Sequence, residues 1–183
     1  MVLDLDRIEI EAAGSDPVRL ARAIHRRMPG HEGAVPVHEI ARALDIDEIR
    51  EQPLSSFEGC LITDRDKSRG AILVNASSNR QRRRYSIAHE LGHFLNERHE
   101  PTEPGGFRCT TGDMAFPAGS GRHLRQEREA NSFAIELLAP ERLLRKRLNR
   151  PADIEHVLAI ANELAISREA AARRYVALHG ERL

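Results

Sequence analysis

The residues best equipped for chemistry lie between Ser86 and Leu95, where His89, Glu90 and His93 spell His-Glu-x-x-His inside a run with helical periodicity. Four residues along a helix is just over one turn, so the two histidines project from one face and can grip one metal ion. Glu90, beside them, can take a proton from a water held by that metal. Ile87, Leu91, Phe94 and Leu95 form a separate apolar stripe that would anchor the helix in a core. Ser86 is a candidate N-cap, with an earlier start near Ser78 as the alternative. Gly92 sits mid-helix, where glycine costs about 1 kcal/mol against alanine, and close approach of another segment would account for it.

Two imidazoles do not close a catalytic zinc site; three protein ligands and a water are expected. A second helical run, Gln126 to Pro140, offers Glu127 and Glu129. Helical phase separates them. Glu127 shares the inward face of Ala130 and Asn131, whereas Glu129 stands about 100° from Ala130 and turns toward solvent or the sheet edge. Glu127 is therefore the preferred third ligand and Glu129 the fallback. Asn131 could accept a hydrogen bond from a ligand histidine and fix its tautomer. Cys109 is a possible fourth or inhibitory ligand, since a thiolate there would displace the water and silence hydrolysis; otherwise it is simply packed or exposed in a loop. A His2Glu set suits zinc better than manganese. Tyr85, His99, Arg122 and His123 are candidates for stabilising the oxyanion, and the remaining histidines, His25, His31, His38, His156 and His179, are expected at the surface.

The elements that must position these groups follow from pattern. The 183 residues suit one domain, or one with a small appendage, and 40% apolar content can build a core. Charged residues make up 31% with no net charge, which argues against disorder and against a protein that coats nucleic acid. No run is apolar enough to span a membrane, Met1 to Asp6 has no signal-peptide character, and two distant cysteines suggest a reducing cytoplasm. Residues 1–14 carry no signal. Asp16-Pro17 opens a helix that Pro29-Gly30 stops, and a second helix follows Pro36. Strands are predicted near 46–51, 59–63 and 71–74, with Cys60 as a core residue, in a small antiparallel sheet. A long stretch from Glu100 to Arg122, rich in Pro, Gly and Thr, reads as an irregular loop over the site. A helix over 124–138 and an all-helical remainder follow, with Ser167 capping the last helix. The fold class is α+β, with a peptidase domain over 1–140 and a helical subdomain over 141–183.

Arg84-Tyr85-Ser86-Ile87-Ala88-His89-Glu90-Leu91-Gly92-His93, then Glu127-x-Glu129-Ala130-Asn131-x-Phe133-Ala134-x-x-Leu137-Leu138-x-Pro140, resembles the ImmA/IrrE family of zinc metallopeptidases. The strand Gly70-Ala71-Ile72-Leu73-Val74-Asn75 is similar to the family's segment before the active helix, and the resemblance spans roughly residues 36–178. It implies a thermolysin-like arrangement, with His89, His93 and Glu127 as zinc ligands and Glu90 as base. Asn131 stands where the gluzincin pattern often has aspartate. It also implies a cytoplasmic protein that cleaves a helix-turn-helix repressor of the XRE type. Leu164 to Tyr175 reads as the helix-turn-helix-like end seen in such proteins, but its faint positive bias and a turn without glycine favour packing over DNA binding. The competing class is a non-proteolytic transcription regulator, or a toxin–antitoxin-type partner, acting through those C-terminal helices.

Overall fold

A computed structural model describes residues 3–101, 105–114 and 121–179. The first helix, α1 (Arg7–Glu11), is capped by Asp6, whose carboxylate accepts from the amides of Ile8 and Glu9. Sequence pattern did not foresee it, because a five-residue helix that buries only Ile10 has no period to read. α2 (Pro17–Arg26) begins as expected, with Asp16 accepting from the Arg19 amide and proline in the first turn. α3 (Val37–Ala43) follows Pro36.

Strands β1 (Ile46–Gln52), β2 (Gly59–Thr63), β3 (Gly70–Asn75) and β4 (Gly106–Cys109) form one sheet in the order β1-β3-β2-β4. The sheet is mixed, not antiparallel: β1 runs parallel to β3, while β2 is antiparallel to both β3 and β4. The cause is a crossing. β2 and β3 pair as neighbours, and β1 lands on the far side of β3, so the link at 53–58 passes over the end of that strand. Asn75 ties the link down, accepting from the Leu54 amide at 3.3 Å and donating to the Leu54 carbonyl at 3.2 Å. β4 corrects the reading of 100–122 as irregular throughout. Gly106, at φ +147°, lets the strand approach β2 so closely that a Cβ would run into the Leu61 carbonyl. Residues 102–104 and 115–120 of that stretch lie outside the described residues.

α4 (Arg80–Leu95) is capped by Asn79, whose side chain accepts from the Arg82 amide. Ser86 is therefore not the cap; it is buried mid-helix and donates to Met114 Sδ at 3.5 Å. At the other end, buried Lys67 donates from Nζ to the carbonyls of His93 and Asn96 at 2.8 and 2.7 Å, a cation placed against the negative pole of the helix. α5 (Arg122–Leu138) packs across α4, and Gly92 is the meeting point: a Cβ there would stand 3.0 Å from Phe133 Cδ1 and 3.3 Å from Ala130 Cα. Glycine mid-helix thus has the explanation its position demanded.

The chain continues through α6 (Glu141–Leu148), α7 (Ile154–Leu164) and α8 (Arg168–Leu178), the last capped by Ser167. Ala165 makes the turn between α7 and α8 in the left-handed conformation, at φ 50°, which is how the turn closes without glycine. Arg174 of α8 donates to the Ala139 carbonyl at 2.9 Å and pairs with Glu136 of α5. No helix among the described residues is long and apolar enough to cross a membrane.

Candidate metal centre

His89 and His93 lie on the face of α4 turned toward α5, and all their ring atoms are buried. Their Nε2 atoms are 3.1 Å apart. Glu127, in the second turn of α5, places Oε2 3.1 Å from His89 Nε2 and Oε1 3.3 Å from His93 Nε2. Cys109, at the end of β4, brings Sγ to 3.7 Å from His93 Nε2 and 4.0 Å from Glu127 Oε1. One ligand atom from each of these four buried residues lies within 4.8 Å of every other. Ligands of one tetrahedral zinc ion would be about 3.3–3.8 Å apart, so the cluster is close to that size.

What faces the outer nitrogen of each imidazole decides its tautomer. Asn131 Nδ2 donates to the Asp113 carbonyl at 3.0 Å, which orients the amide so that Oδ1 lies 3.0 Å from His89 Nδ1. An amide oxygen only accepts, so His89 carries its proton on Nδ1 and leaves Nε2 bare. His93 is held by a second imidazole. His99 Nε2 is 2.9 Å from Glu129 Oε2, and a proton there leaves His99 Nδ1 free to accept from His93 Nδ1 at 3.0 Å. His93 Nε2 is then bare as well. Burial holds His99 down to about 4 and His93 down to about 3, so both are neutral imidazoles.

The outcome is two nitrogen lone pairs and a carboxylate aimed at one point with no proton between them. Acceptors so arranged repel one another unless a cation lies among them, and nitrogen with carboxylate is a donor set that zinc takes. By chemistry and spacing, the residues fit a divalent metal.

Glu90 points elsewhere on the same helix. It is fully buried; neither carboxylate oxygen has a hydrogen bond of full geometry among the described residues, and the Cys109 thiol and the Leu61 amide are its polar neighbours. Burial, above all, raises its pKa well beyond the ordinary value. Gly59 of β2 makes room for it: a Cβ there would sit 2.5 Å from Glu90 Oε1.

Helical phase separated the two α5 glutamates, but the fate of Glu129 goes beyond the expectation. It stays partly exposed, as its phase requires, but also holds His99. His99, weighed only as an oxyanion group, lies behind His93. It follows the end of α4, so no helical spacing could have paired the two. Arg122 is on the surface with Glu100. His123 and Tyr85 border the centre, His123 Nδ1 lying 3.6 Å from Glu127 Oε1 and the Tyr85 hydroxyl donating to Asn131 Oδ1 at 2.7 Å. His25, expected at the surface, is buried against α5, its Nε2 2.9 Å from the Leu137 carbonyl.

Residues 48–175 match the profile of the peptidase family M78, described as the IrrE N-terminal-like domain. The chain belongs to that family. No curated protein matches the chain. Membership gives this IrrE-like chain a peptidase-type domain, whose substrate is protein, and the matched span contains α4, β4, α5 and every residue of the metal-sized cluster.

Proposed function

We propose that this IrrE-like chain is a zinc-dependent endopeptidase that cleaves a helix-turn-helix repressor of the XRE type in the cytoplasm. The observation that supports it most is the convergence of His89, His93 and Glu127 beside a buried carboxylate, Glu90, that makes no hydrogen bond of full geometry among the described residues. His89, His93 and Glu127 would hold a zinc ion, which would supply the Lewis acidity for peptide hydrolysis. The chain supplies the rest. Glu90 takes a proton on a carboxylate oxygen and later delivers it to the leaving amine; burial, above all, raises its pKa, which favours holding that proton. Asn131 and the His99–Glu129 pair keep the Nδ1 protons of His89 and His93 in place, so that both Nε2 atoms stay available.

A groove of about 630 Å³ lies beside the centre, lined by Tyr85 and Asn131, by the apolar side chains of Met114, Ile135, Leu138 and Ile166, and by polar residues including Arg82 and Glu169. It suits an apolar side chain next to the cleaved bond. Residues 141–183 act in this reading as a helical subdomain that buttresses the peptidase part over 1–140. Direct DNA binding is disfavoured, because Arg173 pairs with Glu169 and Arg174 is engaged by Glu136, which leaves α8 without a concentrated basic face.

The test is incubation with XRE-type repressors from the same organism. Cleavage is expected, stopped by a chelator and absent from Glu90→Gln. A biological effect that survives Glu90→Gln would instead favour a regulator that works by contact alone.

A further inference from the structure

A catalytic zinc site keeps one coordination position open for water, whereas a structural site closes with a fourth protein ligand. Here a fourth donor stands in the cluster. Cys109 is fully buried, and its sulfur lies closer to His93 Nε2, at 3.7 Å, than to any carboxylate oxygen of Glu127. We propose that the Cys109 thiolate is a fourth metal ligand that closes the centre and holds the peptidase latent, an inference that rests on the metal-centre reading above.

The thiol is aimed by the sheet. Side chains two apart on a strand share a face, so Phe107 and Cys109 both turn toward α4. Phe107 stacks on the His93 ring with centroids 4.5 Å apart, which fixes the strand against the ligand helix. Cys109 pairs with Gly59 in the β2 ladder, and its carbonyl accepts from the Glu58 amide at 2.9 Å. Gly106 permits the close approach at the other end of the strand.

The surroundings of Glu90 point the same way. The Glu90 carboxylate lies in the hollow left by Gly59, the ladder partner of Cys109, buried and with no hydrogen bond of full geometry among the described residues, and the Cys109 thiol is its polar neighbour. A base in that position needs a water to act on. While the thiolate holds the fourth position, that water is excluded and Glu90 is idle; metal binding deprotonates the thiol and releases its proton. Activation is then the displacement of sulfur from the metal by a stronger or better-placed ligand.

The proposal is tested with the full chain loaded with cobalt(II) or zinc(II). Wild type is expected to show thiolate-to-cobalt charge-transfer absorption in the near ultraviolet, and X-ray absorption of the zinc form should show one sulfur at about 2.3 Å. Cys109→Ser should lose both signals while keeping one metal per chain. Cys60→Ser, which changes the other cysteine in β2, should keep both. Acetohydroxamate, titrated into the cobalt forms, should bind Cys109→Ser at least several-fold more tightly than wild type, because no sulfur has to leave; Cys109→Ala should behave alike if serine repacks. Stoichiometric metal without a sulfur signal in wild type, or equal hydroxamate affinity in wild type and both Cys109 variants, overturns the proposal and leaves the metal centre standing. Failure of wild type to bind metal at all overturns both.

Discussion

Two buried acids do opposite work in this centre, and each makes its own prediction. Glu127 is needed for metal, so Glu127→Ala should abolish stoichiometric zinc in a competition assay with a chelating dye. Glu90 is needed for proton movement alone. Glu90→Gln should therefore bind zinc like wild type and cleave nothing. Because the substitution removes a buried charge with no hydrogen bond of full geometry among the described residues, the thermal midpoint should stay level or rise. A midpoint several degrees lower would show that the charge has a structural partner. The groups behind the ligands act through tautomer and aim. Asn131→Ala and Glu129→Ala should each weaken zinc by about 10- to 100-fold, with little change in fold. Unchanged affinity in both would mean that neither Nδ1 contact matters.

At the scale of elements, the α4–α5 crossing sets the spacing of the donor set, because the histidines ride on one helix and Glu127 on the other. Gly92→Ala should improve the intrinsic helix preference by about 1 kcal/mol yet push Ala130 and Phe133 back by a few tenths of an ångström. The expected result is weaker zinc binding at nearly unchanged stability; unaltered affinity would show that α5 yields elsewhere. The α2–α5 contact carries a pH dependence. His25 Nε2 donates to the Leu137 carbonyl, and Arg142 Nη2 donates to His25 Nδ1 at 3.2 Å, so the folded chain holds this ring neutral. Burial, followed by the Arg142 charge, lowers its pKa from 6.5 to about 4. The unfolded chain binds that proton below about pH 6.5 and the folded chain only near 4. Stability is thus fully present above 6.5 and declines as pH falls toward 4, by up to about 1.4 kcal/mol per unit from this residue. In urea unfolding followed across that range, His25→Gln should have a shallower slope than wild type.

Across the whole molecule, the metal couples the sheet, α4 and α5. A ligand that binds only the folded chain stabilises it by about 4 kcal/mol at a thousand times its dissociation constant. For a chain of this size, chelation should lower the melting midpoint by on the order of 10 °C, and zinc should restore it. A midpoint indifferent to both would remove the metal from the account. The C-terminal helices join the same unit through Arg174, which bridges α8 to Glu136 and the Ala139 carbonyl of α5. Arg174→Ala would leave Glu136, itself buried, with Arg22 as its remaining ion-pair partner among the described residues, and should destabilise the fold measurably in the same unfolding assay.

The sequence by itself determined what local geometry governs: the pairing of His89 with His93 one turn apart, Glu127 rather than Glu129 on the inward face, the caps at Asp16 and Ser167, and the need for a close neighbour at Gly92. Each is a matter of phase or backbone preference within a dozen residues. Only the tertiary structure decided that β1 lies parallel to β3, that β4 forms inside a stretch rich in loop residues, that Glu129 reaches His93 through His99, and that Cys109 enters the cluster. Those depend on contacts between segments far apart in the chain, where side-chain type leaves several partners open and the packing of the sheet against α4 and α5 selects one.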